Sequence, residues 1–206
     1  MAIVETIVLT RPSTAVDFYS NTESMLLASW RASVQSLRDS GKFTTVKTLS
    51  DDELVQTIVN TYEDFTAWAE VKGTYTVTYD YERLQYASTN SITSTVNLVG
   101  LDAPFTGTTV YTFPSGTAVN SPLISSNERV YTSPYGSIVN LLDIVELRSV
   151  VDSGILQSLT SSDTTVTVVH SYADQDTYKN SKWSDQGFLD ALVTLGVTRT
   201  VVYALV

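Results

Sequence analysis

One order of elements runs through this chain twice. A gapless shift aligns Val46 with Val169, Asp51 with Asp174, Phe65 with Phe188 and Gly73 with Gly196, so strand, acidic cap, helix, glycine and strand follow one another in both halves. The first strands need a longer shift, and the first copy carries extra residues around "RPSTAVDFYSN". Identity between the halves is low. An internal duplication and a chance repeat of two common strand–helix–strand units both fit. Either way, the chain must bury helices against strands twice, which constrains its fold more than any other feature.

Local signals give the elements. "IVETIVLT" (3–10) is a strand by composition, and Pro12 ends it. Ser20 and Glu23 stand at capping-box spacing, and Leu26, Trp30, Val34 and Leu37 form one stripe of a following helix that Gly41 stops. "FTTVKTL" (43–49) is a second strand. Ser50 and Glu53 repeat the capping-box spacing, and Leu54, Ile58, Phe65 and Trp68 predict a long second helix closed by Gly73. From there the period switches to two: Tyr75, Val77, Tyr79 and Tyr81 alternate with Thr74, Thr76, Thr78 and Asp80, the pattern of a two-faced strand. "SITSTVNLVG", "GTTVYTF" and "ERVYTSP" read as further strands, separated by the turn signals "DAP", "FPSG", "NSP" and "SPYG". In the last third, "SIVNLLDIVEL" predicts a strand, "VVDSGILQSL" a short helix and "TTVTVVHSY" a strand. "SDQGFLDALVTLG" is a helix ending at Gly196, and "VTRTVVYALV" is the closing strand.

Each copy therefore reads β-α-β-α-β. The architecture this resembles is ferredoxin-like or the dimeric α+β barrel, in which helices cover one face of an antiparallel sheet. The expected class is α+β, with a first unit over 1–82, a β-rich insertion over 83–135 and a second unit over 136–206.

Charge and composition narrow the function. The formal net charge is −10 with only 12 Lys and Arg among 206 residues, and no basic run occurs, so nucleic acid is not an expected partner. Nor is a membrane: no apolar run approaches the roughly 18 residues a spanning helix needs, and "MAIVETIVLTRP" lacks the basic start of a secretory leader. With no cysteine, disulfides, thiolate catalysis and thiolate-bound metals are excluded. The bias towards Thr, Ser, Val and Tyr suits sheet surfaces that face water or other subunits.

Few residues suggest chemistry. His170, the one histidine, ends a strand, and Asp174 and Asp176 follow it. The sharp reading is a general base or a metal ligand. The plain one is an ordinary strand residue, and the shift above places it opposite Lys47. A lone histidine excludes the multi-histidine zinc sites. The acidic groups Asp51-Asp52-Glu53 and Asp174-Gln175-Asp176 fall at expected helix starts, where exposed N–H groups favour carboxylates without any ligand. Tyr75, Tyr79, Tyr81 and Tyr86 could stack sugars, serve a protein interface or pack internally. Trp30 and Trp68 lie on apolar helix stripes, and Trp183 precedes the last helix as a staple or an anchor. Phosphate loops, G-x-S-x-G and H-E-x-x-H are absent from the sequence. No catalytic, cofactor-binding or metal-binding residue is assigned, and no cofactor is expected.

Two segments, "MAIVETIVLTRPS" and the turn-punctuated "TFPSGTAVNSPLISSNERVYTSPYGS", resemble in texture the structural proteins of tailed-phage virions, such as neck, tail-completion or baseplate components. That resemblance implies a non-enzymatic subunit of a virion assembled in a host cytoplasm. It would act through contacts with other protein subunits, with the β-rich middle as contact surface. The competing expectation is an enzyme or small-molecule binder of the dimeric α+β-barrel kind, for example one resembling cofactor-free monooxygenases, with an apolar pocket near His170, Tyr172 and Trp183.

Overall fold

A computed structural model of the chain describes residues 1–22, 24–114, 156–161, 165–180 and 186–206. The chain divides into two compact units, Met1–Asp102 and Ala103–Val206.

In the first unit, β1 (Ile3–Thr10) stops just before Pro12. Helix α1 (Met25–Ser33) starts at Ser24, whose hydroxyl accepts from the Leu27 N–H at 3.0 Å. After the short α2 (Gln35–Asp39), Gly41 turns the chain with a φ of 76° into β2 (Phe43–Leu49). A tight loop leads to β3 (Val55–Tyr62). Asp64 then caps α3 (Phe65–Gly73) by accepting from the Ala67 N–H at 2.9 Å. Thr76 caps α4 (Val77–Thr89), and β4 (Thr93–Val99) closes the unit. The sheet order is β2-β3-β1-β4, with every pair antiparallel. This β-α-β-β-α-β path is the ferredoxin-like arrangement.

The second unit has β5 (Phe105–Thr112), β6 (Leu156–Ser161), β7 (Thr165–Tyr172), α5 (Gln175–Asn180), α6 (Gln186–Thr194) and β8 (Thr198–Leu205). Its order, β6-β7-β5-β8, repeats that of the first sheet. Gly196 ends α6 with a φ of 67°, as its position predicts.

Strand register sorts the residues. In β1 and β3 the inward set is Ile3 and Glu5 with Gln56, Ile58, Asn60 and Tyr62, all buried. The opposite face carries Val4, Thr6, Val8 and Thr10 against Val55, Thr57, Val59 and Thr61. Thr44, Val46 and Thr48 extend it on β2, and Thr93, Thr95, Asn97 and Val99 on β4, so this face bears no charge at all. In the second sheet the same side reads Thr106, Thr108, Val110 and Thr112 against Thr165, Thr167, Val169 and Ser171. The Thr and Val excess of the sequence lies here.

Several expectations change. Ile3 corresponds by register to Phe105 and Tyr62 to Tyr172, so β7 answers to β3 and not to β2. His170 therefore occupies the position of Asn60, and the pairing of His170 with Lys47 does not hold. Residues 50–53 form the β2–β3 loop, with Glu53 at a φ of 58° and the Ser50 N–H bonded to the Val55 carbonyl at 2.9 Å. Asp51-Asp52-Glu53 thus caps no helix. The expected helix over Leu54 and Ile58 is strand β3, because the β-branched alternation in "VQTIVNTY" governs. The expected strand over 74–86 is helix α4. The described part of "VVDSGILQSL" is β6, a strand and not a helix. Residues 83–99 belong to the first unit, so its end is Asp102 and not residue 82. The rest of the expected β-rich section, with "ERVYTSP" and "SIVNLLDIVEL", lies outside the described residues, as does Glu23.

Candidate functional site

Tyr79, Glu82 and Tyr86 recur at helical spacing on α4, and Tyr75 lies just before its Thr76 cap. Their rings pack on Tyr19 and Trp30: Tyr79 stacks on Trp30 at 5.8 Å between centroids, and Tyr86 lies 5.7 Å from Tyr19. Tyr19 donates to Glu82 Oε2 at 2.7 Å, and Ser24 donates to the same oxygen at 3.2 Å. Burial, ahead of the nearby Glu82, raises the Tyr19 phenol above its ordinary range. Tyr81 stands off this face and accepts from Gln85 at 3.0 Å. The tyrosine ladder is internal packing between helices.

The inward centre of each sheet holds polar groups at one equivalent register position. In the first unit Glu5 faces Asn60 across the β1–β3 ladder. Glu5 is 2% exposed, and the Lys72 ammonium from α3 reaches its two oxygens at 2.7 and 2.8 Å. Tyr62 and Asn60 donate to Oε2 at 3.0 and 3.3 Å. The ammonium also lies over the Tyr75 and Tyr62 rings, 5.1 and 5.9 Å from their centroids. Burial first, and the Glu5 charge second, hold the Tyr62 phenol well above its usual pKa. A carboxylate so enclosed is an anchor that fixes α3 to the sheet.

In the second unit the equivalent pair is Gly107 and His170. Gly107 also pairs with Tyr203 of β8. A Cβ at Gly107 would stand 3.0 Å from the Tyr203 ring and 3.2 Å from the Tyr172 ring, so the glycine is what lets both rings close over the strand. Tyr178 from α5 completes the group: it meets Tyr172 edge-on at 5.3 Å and Tyr203 at 5.9 Å, and the Tyr178 and Tyr203 hydroxyls are 3.5 Å apart. Phe105 lies 4.9 Å from Tyr172, and the His170 ring 6.0 Å from it. His170 is buried, and burial lowers its pKa to about 4. The imidazole is therefore neutral near pH 7 and offers one donor and one acceptor inside an aromatic shell.

Asp174 begins α5, accepting from the Thr177 N–H at 2.8 Å and the Thr177 hydroxyl at 2.9 Å. The helix-start reading of this carboxylate holds, and Asp176 sits in the first turn. Trp183 lies outside the described residues. Among the described residues no three His, Asp or Glu side chains gather as a metal would require. Nor is any helix among them long and apolar enough to cross a membrane.

Sequence reasoning missed Glu5, Asn60, Lys72 and Gly107. One signal was present: Glu5 interrupts "IVETIVLT" on the same alternation as Ile3 and Ile7, where an unpaired charge would be costly.

No family model and no curated protein matches the chain. Solved structures do resemble it. A Lactobacillus acidophilus protein named "putative monooxygenase" matches at 10% identity and a TM-score of 0.32, covering 100% of this chain and 93% of that one. A second "putative monooxygenase", from Fusobacterium nucleatum, matches at 12% identity and 0.27, covering 99% and 93%. A "putative glycine cleavage system transcriptional repressor" matches at 8% and 0.24, covering 100% and 99%. No residue role is carried over from any of them. These findings correct the expectation of a virion structural subunit of the neck, tail or baseplate kind. Its physical footing fails as well, because the start of the supposed contact surface holds helix α4 (Val77–Thr89), whose Tyr79 and Tyr86 pack inward.

Proposed function

We propose that this chain is a small-molecule-binding α+β protein, and that its second unit takes a small, largely apolar, ring-bearing ligand beside His170. The observation that carries this reading is the neutral, buried imidazole beside the Tyr172, Tyr178 and Tyr203 cluster, facing Gly107 on the neighbouring strand. An aromatic shell with one polar contact is the usual chemistry of a site for such molecules. Binding without turnover is the form proposed. The carboxylates nearest the fold's centres are already engaged, Glu5 by Lys72 and Asp174 as a cap.

Partnership with other protein subunits enters as part of the same proposal. The uncharged Val/Thr sheet faces, with Val46 and Val202 more than half exposed, supply surface for it.

The test is ligand-observed NMR of the full chain against a panel of phenols, indoles and short aliphatic acids, with ligand integrity followed over hours. The expected result is saturable binding of ring-bearing members that His170→Leu weakens at least about tenfold, a loss typical of one buried polar contact. Equal binding by His170→Leu overturns the site, and conversion of a ligand overturns the non-catalytic form.

A further inference from the structure

Among its described residues, the first unit gathers three cations that no carboxylate pairs. Arg31 of α1 donates through Nη2 to the Ser20 carbonyl at 3.0 Å. Lys47 of β2 donates to that same oxygen at 2.7 Å and to Asn21 Oδ1 at 3.3 Å. Two charged heads therefore share one acceptor and cannot be farther apart than those two bonds together allow. Arg38 of α2 joins them, its guanidinium carbon 5.6 Å from the Trp30 ring centroid and 5.1 Å from that of Phe43.

Among the described residues, the ion pairs are Arg11 with Glu53, Lys72 with Glu5 and Arg83 with Asp80; Arg31, Arg38 and Lys47 are in none. The nearest acid in sequence, Asp39, accepts from Gln35 at 2.7 Å. Two buried donors at the cluster, Arg38 Nε and Trp30 Nε1, have no acceptor there. The charges also oppose one another. Burial and then Arg31 lower the pKa of Arg38, and burial, Arg31 and Arg38 lower that of Lys47. The arrangement is notable because carboxylates outnumber cations 22 to 12, so acids were available to neutralise it. Arg31 and Lys47 have only neutral oxygens as acceptors, and Arg38 Nε and Trp30 Nε1 have none, so an oxyanion would recover free energy that the cluster leaves unused.

We propose that Arg31, Arg38 and Lys47, with the Trp30 indole, form a binding site for a small oxyanion, a carboxylate or a phosphate. All of its residues belong to the first unit. Arg31 and Arg38 supply planar, directional donors, and the exposed Lys47 adds a mobile charge at the entrance.

The full chain is titrated with inorganic phosphate and, separately, with acetate. Chloride at matched ionic strength is the reference. The readouts are the Trp30 indole N–H and arginine Nε–H resonances and the melting temperature. The Trp30 signal is assigned with Trp30→Phe. The expected result is a saturable shift with one of the two oxyanions, and a rise in melting temperature that chloride does not give. Arg31→Gln/Lys47→Gln should weaken binding at least about tenfold, as for lost charge-assisted hydrogen bonds. Lys42→Gln, an exposed lysine outside the cluster, should leave it unchanged. Without added oxyanion, Lys47→Gln alone should melt no lower than the parent, since it relieves repulsion; a purely structural lysine would melt lower. Shifts that grow linearly with ionic strength and match chloride overturn the proposal. So does undiminished binding by the double variant. Should that variant fail to fold, Lys47→Gln decides by the same criterion.

Discussion

Lowering the pH from 7 to 4 tests the state of His170 most sharply. Burial depresses its pKa from 6.5 in the unfolded chain to about 4 in the fold. Between those two values the unfolded chain binds a proton that the folded chain does not. Folding therefore weakens as pH falls from about 6.5 towards 4, and the contribution is fully present above 6.5. A difference of two to three pH units corresponds to about 3 kcal/mol, as an order of magnitude. Carboxylates titrate over the lower part of this range too, so the parent alone is uninformative. His170→Asn removes the titrating group and installs the residue that Asn60 presents at the equivalent register position of the first unit. Urea unfolding of both proteins is measured at half-unit steps from pH 7.5 to 4. The stability gap, parent minus variant, should shrink steadily below pH 6.5 by about 3 kcal/mol. Because the chain has two units, the transition is followed by near-UV signals and by amide exchange in β7, which isolates the second unit. A gap that stays constant across the range refutes the reasoning and means that the imidazole is solvated in the native protein.

Lys72→Met alone should destabilise the first unit by about 3–5 kcal/mol, by stranding the Glu5 carboxylate. Glu5→Leu/Lys72→Met should recover most of that loss, and additive costs in urea unfolding would show that the pair is not coupled. Gly107→Ala should cost about 1–3 kcal/mol, since its methyl meets the Tyr203 and Tyr172 rings at 3.0–3.2 Å; an unchanged urea midpoint would mean that the rings do not close over the strand. Asp64→Ala should cost about 0.5–2 kcal/mol in the same assay through loss of the α3 cap, and no loss would remove Asp64 from that role.

Much of the fold was legible in the sequence where local signals stood alone. Strands β1, β2 and β7 and the α6 stop at Gly196 follow from β-branched runs and from glycine in the left-handed region. The two-unit ferredoxin-like class was legible in the repeat, but the β-α-β-α-β order read for each copy was not right: the first unit is β-α-β-β-α-β, and the offset matched the wrong strands. Errors came where two periods overlap. In "TYTVTYDYERLQY" the tyrosines satisfy a spacing of two and of four at once, and only the partner rings Tyr19 and Trp30, distant in sequence, select the helix. In Ser50–Glu53 a capping-box spacing and a hairpin loop use the same polar residues. The alternation in the following "VQTIVNTY" was the signal that separates them. His170 was visible as the single histidine, but its environment was not. Gly107 faces it from β5, and Tyr178 and Tyr203 close on the neighbouring Tyr172 ring, through a register that no linear shift of the sequence gave.

Because the chain has one histidine, its ring signals need no assignment by mutation. The decisive measurement is the 15N and C2–H resonances of that ring across pH, first without and then with the tightest member of the ligand panel. The account predicts a neutral imidazole down to about pH 4, and a displaced ring nitrogen signal at saturation with ligand. A ring that titrates near 6.5, or that stays unmoved while ligand saturates the protein, contradicts the assignment of this site.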